Sequence, residues 1–337
     1  MKAFNNTKTI LLGIVMLCLA ICSACSKSKD DNPTPPTEKQ ADIYVAGYEW
    51  NGTKDVAKVW KNGAELYKLS DETQNASAKS LFVSGNDVYI AGFENNGTKN
   101  VAKVWKNGKE LSKLTNGAQD AFANSVSVSG SDVYVAGEES NGTKYVAKVW
   151  KNGAVTLLTD GVNHAGASTV LVSGSDVYVA GGEEIDGVNR GKIWKNGKSY
   201  FTFPKNTIGY VYAIYVQGTD VYAAGEDQYW VNPAASVPKI VKIPDSYAIN
   251  SLFVSGNDVY AAGFEYDGTK DIAKVWKNGT ATKLSDENSE AISVFVWNDK
   301  VFVAGYERDP AVIWEDGKPT KFADRGAANA VFVVDRP

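Results

Sequence analysis

The chain has 337 residues, is 44% hydrophobic and 22% charged, carries 31 glycines and has a formal charge of −4. That is an ordinary globular balance with a turn-rich bias. With no Lys/Arg block anywhere in it, this balance argues against nucleic acid as a partner.

The N-terminus reads as a secretion signal. Lys2 and Lys8 precede the apolar run Ile10–Ala24, which is too short and too close to the start for a membrane span. Removing those two lysines takes the charge from −4 to −6. The three cysteines, Cys18, Cys22 and Cys25, all lie in or beside this run, so the rest of the chain has neither disulfide nor thiol chemistry. Behind Cys25 come the charged Ser26–Asp31 and the proline-bearing Asn32–Gln40, a stiff solvated tether. The expected division is 1–24 signal, 25–40 linker and 41–337 a single repeat domain.

The repeats begin at Asp42, Asp87, Asp132, Asp176, Asp220, Asp258 and Lys300, with starts 38 to 45 residues apart. In the second copy, Val88–Phe93 has strand character, with β-branched and aromatic residues frequent. Asn96-Gly97 suits a two-residue type I′ turn, Val101–Trp105 a return strand, and Asn107-Gly108 a second turn of the same kind. Glu110–Leu114 and Asn124–Ser129 are the third and fourth strands. Four short strands in each unit of about 40 residues make a β-propeller blade, so the predicted fold is all-β and seven-bladed.

The V-x-V-S-G strands are expected at the axis. At one matching position they carry Ser80, Ser125, Thr169, Ala213, Ser251, Ser293 and Ala330, small enough for a crowded centre. The last of them, Asn329–Val334, ends the chain, while the first copy lacks one. Closure of the ring by the C-terminal strand joining the first blade follows. The alternative places D-V-Y-V-A-G innermost and leaves the C-terminal strand as an edge.

A carboxylate recurs on the first hairpin of each copy: Glu49, Glu94, Glu139, Glu183, Asp227, Glu265 and Glu307. With a two-residue turn, Glu49, Glu94, Glu139 and Glu265 would sit opposite Lys54, Lys99, Lys144 and Lys270 as structural pairs. Trp60, Trp105, Trp150, Trp194, Trp276 and Trp314 recur on the return strand, as blade-to-blade packing. The irregular copies carry the candidate ligand face. Copy five reads Glu226–Pro238 in place of the usual motifs, and copy four holds Tyr200–Phe203, Tyr210 and Tyr212. If first-hairpin loops share a face with the blade-to-blade loops, Trp50, Tyr229, Trp230, Tyr266 and His164 lie on it.

The chemistry of cofactors and metals is not signposted. His164 is the single histidine, and no C-x-x-C, H-E-x-x-H, phosphate-cradling or calcium-loop motif is present. No cofactor and no metal are expected.

Ser23-Ala24-Cys25 resembles the lipobox of bacterial lipoproteins, although Cys22 stands where that family prefers leucine. The V-Y-V-A-G and W-K-N-G repeats over Ala41–Pro337 resemble lipid-anchored seven-bladed propellers of Bacteroidetes-type bacteria. The resemblance implies lipidation at Cys25, membrane attachment through it, and a monomer on the cell envelope, anchored in the outer membrane and surface-exposed. It specifies no activity, because propellers host many unrelated functions. The expected function is a binding or scaffold protein recognising a glycan or protein through one propeller face. The alternative is a glycan-active hydrolase or lyase, with acids, or an acid with His164 and a Tyr, converging near the axis.

Overall fold

A computed structural model describes residues 39–336. The leader, Cys25 and most of the tether lie outside the described residues. Among the described residues twenty-eight strands, β1–β28 in chain order, form seven four-stranded antiparallel sheets. Blade 1 has the order β28-β1-β2-β3, where β1 is Ala41–Trp50, β2 Asp55–Lys61, β3 Ala64–Lys68 and β28 Gly326–Asp335. Blades 2 to 7 take four consecutive strands each. Their inner strands are β4 (Ala76–Ser84), β8 (Ala121–Ser129), β12 (Ala165–Ser173), β16 (Ala213–Gln217), β20 (Ala248–Ser255) and β24 (Ser289–Trp297). Each inner strand touches the next, and β28 touches both β24 and β4, so the ring is closed head to tail.

The sequence pattern explains this arrangement at atomic level. Ser80, Ser125, Thr169, Ala213, Ser251, Ser293 and Ala330 each pair with the alanine of the neighbouring V-A-G strand. The hydroxyls of Ser80, Ser125, Ser251 and Ser293 accept hydrogen bonds from Val126, Val170, Val294 and Val331 N–H of the next inner strand. An inner edge has backbone N–H groups with no strand partner, and a small hydroxyl is what can reach them at the axis.

The second turn is type I′, with positive φ at Asn107 (50°) and Gly108 (79°), and its equivalents repeat in every blade except blade 5, where Pro233 follows Asn232. Asn107 also clamps the blade: its Nδ2 donates to Asp87 and its Oδ1 accepts from Val88 N–H, both at 2.8 Å. Lys106 pairs with Asp87 and lies over the Tyr89 ring. The D-V-Y and W-K-N-G signatures are therefore two halves of one structural clamp.

The first turn departs from expectation. Asn96 keeps negative φ, and its Oδ1 instead accepts from Thr98 and Lys99 N–H, an Asx-type loop of four residues closed by Asn96 N–H to Lys99 C=O. The register then puts Glu94 opposite Val101, and its ion pair is made by Lys103 on the same face. The pairs expected with Lys54, Lys99, Lys144 and Lys270 are corrected to Lys58, Lys103, Lys148 and Lys274. Glu183, Asp227 and Glu307 pair with Lys192, Lys242 and Lys321. All seven recurring carboxylates are thus internally neutralised.

The tryptophans pack between blades: Trp105 against Ala57 and Val59 of blade 1, Trp314 against Ala273 and Val275 of blade 6. Trp230 holds the same register, opposite Ala223, and is the seventh member of the set. Among the described residues the indole N–H groups of Trp194, Trp230, Trp276 and Trp314 have no hydrogen-bond partner, so ring packing, with the Lys192 ammonium over Trp194, holds them.

Candidate functional site

The inner strands start on the same face as the first-hairpin and blade-to-blade loops; this is the loop face. On the axis below it, Tyr215, Phe253, Phe295, Phe332 and Phe82 stack side by side at 5.2, 4.8, 4.9 and 5.1 Å between centroids. They come from one register position on five consecutive inner strands, and Ser127 and Leu171 occupy it on the other two. Five of the seven positions thus form an aromatic arc below the loop-face mouth.

Around the mouth, two positions that face each other in the repeat have diverged. The pairs are Ser77–Phe93, Phe122–Glu138, Gly166–Gly182, Ala248–Phe264, Glu290–Tyr306 and Ala327–Tyr48. In blade 4 both are glycine, and Tyr210, which leads into blade 5, fills the vacated space. A Cβ on Gly182 would run into its ring, and one on Gly166 would meet its hydroxyl and lie 3.2 Å from Glu138 Oε2. Two glycines thus let a tyrosine lie across blade 4 toward an acid of blade 3.

A cavity of about 210 Å³ opens here, lined by Glu138, Tyr145, His164, Asn189 and Tyr210 among others. Glu138 accepts from Asn124 Nδ2 at 2.8 Å and from the Ala167 N–H. Burial dominates these bonds and pushes its carboxyl from the ordinary 4.5 up to about 7. Burial, reinforced by Glu138, also raises the Tyr210 phenol. His164 Nδ1 accepts from Tyr145 N–H at 3.2 Å, which leaves Nε2 to carry the proton of the neutral ring. The cavity offers a protonatable acid, a phenol and an imidazole, a set suited to proton transfer.

The unfolded chain releases the Glu138 proton near pH 4.5 and the native state near pH 7. Between those values the native state binds more protons, so stability falls as pH rises through this window. Glu138→Gln is therefore expected to gain on wild type in Tm between about pH 5 and about pH 8. An unchanged difference at the two pH values would show a solvated carboxyl.

A second cavity, of about 350 Å³, lies at the seam of blades 7 and 1, lined by Tyr48, Trp50, Asp55, Tyr306 and Arg325 among others. The Arg325 guanidinium lies 5.1 Å from the Trp50 ring centroid. Burial raises Asp55, and Arg325 opposes that shift. Glu290 accepts from Asn250 and from the Tyr306 hydroxyl, and burial raises it despite those bonds.

Of the residues expected on the ligand face, Trp50 and His164 each line a cavity, and Tyr266 stands 53% exposed beside the 66% exposed Tyr247. Tyr229 and Trp230 are corrections: at 4% and 5% exposure they fill the cores between blades. Copy five lost the surrounding W-K-N-G, which hid the fact that its register still points these rings inward. Glu138, Glu290 and Lys79 were missed, and Tyr210 was noted only as part of the aromatic run of copy four. The signal that could have found them is departure from the other copies at one aligned position. Among the described residues no group of His, Cys, Asp and Glu could hold a metal ion.

The architecture defines a seven-bladed β-propeller with a polar mouth on one face. No family model and no curated protein matches the sequence. Among solved structures, the sialidase of Trypanosoma rangeli in complex with 2,3-difluorosialic acid is similar, with a TM-score of 0.50 and 12% identity; the match covers 86% of this chain and 59% of that one. The extracellular domain of a hybrid two-component system from B. thetaiotaomicron gives 0.46 and 13%, covering 80% and 37%. A nidogen/laminin complex gives 0.44 and 8%, covering 87% and 98%. At these identities the likeness concerns the fold alone.

Proposed function

We propose that the loop face binds a glycan, and that the protein does so as a lipid-anchored component of the cell envelope. The observation that carries the binding reading is the gathering of solvent-facing aromatic and polar side chains around one mouth. Tyr212, Tyr247 and Tyr266 are 40%, 66% and 53% exposed, and Trp50 borders a cavity wide enough for a sugar ring. Aromatic faces stack on the apolar faces of sugars, and acids and amides satisfy hydroxyls. The carboxylates borne by every repeat are already paired, so departures from the repeat supply the free groups.

The test is a glycan array and pull-down with the purified protein. Trp50→Ala and Tyr266→Ala are each expected to weaken binding about tenfold with an unchanged Tm. Retention of no glycan by the wild-type protein would end this reading.

One arrangement favours a second reading, a glycan-active hydrolase or lyase: Glu138, Tyr210 and His164 converge in a single cavity. On that reading Glu138→Gln binds but no longer turns over a glycan that wild type cleaves. Anchoring rests on the lipobox-like Ser23–Cys25. Acyl chains contribute about 0.8 kcal/mol per buried CH₂, so Cys25→Ala is expected to move the protein into the soluble fraction of fractionated cells.

A further inference from the structure

We propose that the glycan is acidic and that Lys79, at the centre of the mouth, reads its negative group; this rests on the glycan-binding reading above.

The argument begins with a position where the repeat has a structural use. Near the loop face each of six inner strands has a register shift, and the residues it leaves unpaired are Lys79, Asn124, Ser168, Asn250, Ile292 and Asn329. Asn124, Asn250 and Asn329 donate Nδ2 to the carbonyls of Ala167, Ala291 and Ala78 in the next blade, at 3.0, 3.0 and 2.8 Å. Ser168 donates in the same way to the Val211 carbonyl. At four of the six this position is a clamp from one inner strand to the next. Ile292 replaces it with an apolar side chain, and Lys79 with a charge; the carbonyl Lys79 leaves unused by analogy is that of Ala123.

Lys79 gains no other bond in exchange. Among the described residues no carboxylate lies within ion-pair distance of it, and its ammonium lies 5.9 Å from the Phe93 ring centroid. The buried Lys103 and the half-buried Lys58, Lys148, Lys192 and Lys274 of the repeat all hold a glutamate. Lys79 is half-buried like the last four, and burial lowers its proton affinity against the distant pull of Asp55, Glu290 and Glu138. Those three acids come from blades 1, 7 and 3. Asp55 lines the larger cavity and Glu138 the smaller; Lys79 lines neither but feels the charge of an acid from each.

The neighbouring acids are poor counter-ions. Glu138 is engaged by Asn124, Glu290 by Asn250 and Tyr306, and burial drives both toward the neutral form. Glu226, on the blade 5 side, accepts from Gly209 N–H. The other titratable or charged groups around the mouth include phenols (Tyr48, Tyr145, Tyr210, Tyr212, Tyr306), His164, Asp271, Asp309, Arg308 and Arg325. A half-desolvated ammonium without an ion pair favours an incoming anion. A carboxylate or sulfate on a sugar would supply that charge while the rim aromatics take the ring faces. A residue that breaks the structural rule of its repeat without an internal gain is where a functional demand is expected.

The test compares wild type with Lys79→Asn on polygalacturonate (carboxylate only), dextran sulfate (sulfate only) and neutral dextran. Lys79→Asn restores the amide that clamps the equivalent positions, so its Tm is expected to equal or exceed that of wild type. Affinity for one of the acidic polymers is expected to fall at least tenfold, and the polymer affected identifies the anion. Wild-type affinity for it is expected to rise as pH drops through about 7 and Glu138 takes up its proton. Binding of neutral glycans alone, or equal acidic binding by both proteins, overturns the assignment and leaves glycan binding standing. A lowered Tm with parallel loss of all ligands would make Lys79 structural and also overturn it. Failure to bind any glycan removes the parent reading instead.

Discussion

Ending the chain after Arg325 is expected to abolish cooperative folding. The lost strand, Gly326–Asp335, is the inner strand of blade 1 and touches the inner strands of blades 2 and 7. It buries Ala327, Ala328, Val331 and Val333 and places the Phe332 ring between Phe82 and Phe295. Burying each large apolar side chain contributes about 1.5–3 kcal/mol. Losing Val331, Val333 and the partly buried Phe332, together about 4–9 kcal/mol, along with a whole ladder of backbone bonds, consumes most or all of the margin of a typical domain, about 5–15 kcal/mol. The truncated protein would also present two facing strand edges, a template for aggregation. The measurement is thermal unfolding with light scattering, and a peptide of residues 326–337 added in trans is expected to rescue solubility. A truncated chain that melts like wild type would refute closure by this strand.

Gly92→Val is expected to destabilise by about 3 kcal/mol or more. The reason is space rather than φ. The register shift between Ala78 and Ser80 brings the inner strand over Gly92, where a Cβ would overlap the Ser77 carbonyl and lie 3.1 Å from Ala78 Cα. Gly47, Gly137, Gly181, Gly225, Gly263 and Gly305 meet the same obstacle, each against a backbone carbonyl. Gly97 is the control: its φ is 100°, but a Cβ there touches nothing within 4 Å. Gly97→Ala is expected to cost only about 1 kcal/mol, the strain of positive φ. Chemical denaturation of both variants checks the contrast; equal losses would remove the steric explanation.

These two cases show why the fold was legible. A fixed period, Asn-Gly turns, an obligatory glycine and small axial residues are each local demands, written into every copy. Ring number, inner strand and closure follow from counting them. The first hairpin was misjudged because Asn96 bonds its own loop through Oδ1 instead of adopting positive φ, a choice that the Asn-Gly pair does not announce. Trp230 was misplaced because the eye follows W-K-N-G, while the core follows register.

The chain by itself determined the propeller, because repetition makes each blade's neighbours predictable from its own sequence. Only the tertiary structure decided the mouth. Glu138, Tyr210, Lys79 and Glu290 come from separate copies, and read along the chain each is a single deviation with no partner. Closing the ring brings them to one axis and removes them from water. Burial on that axis, which no local pattern encodes, is what changes their proton affinities.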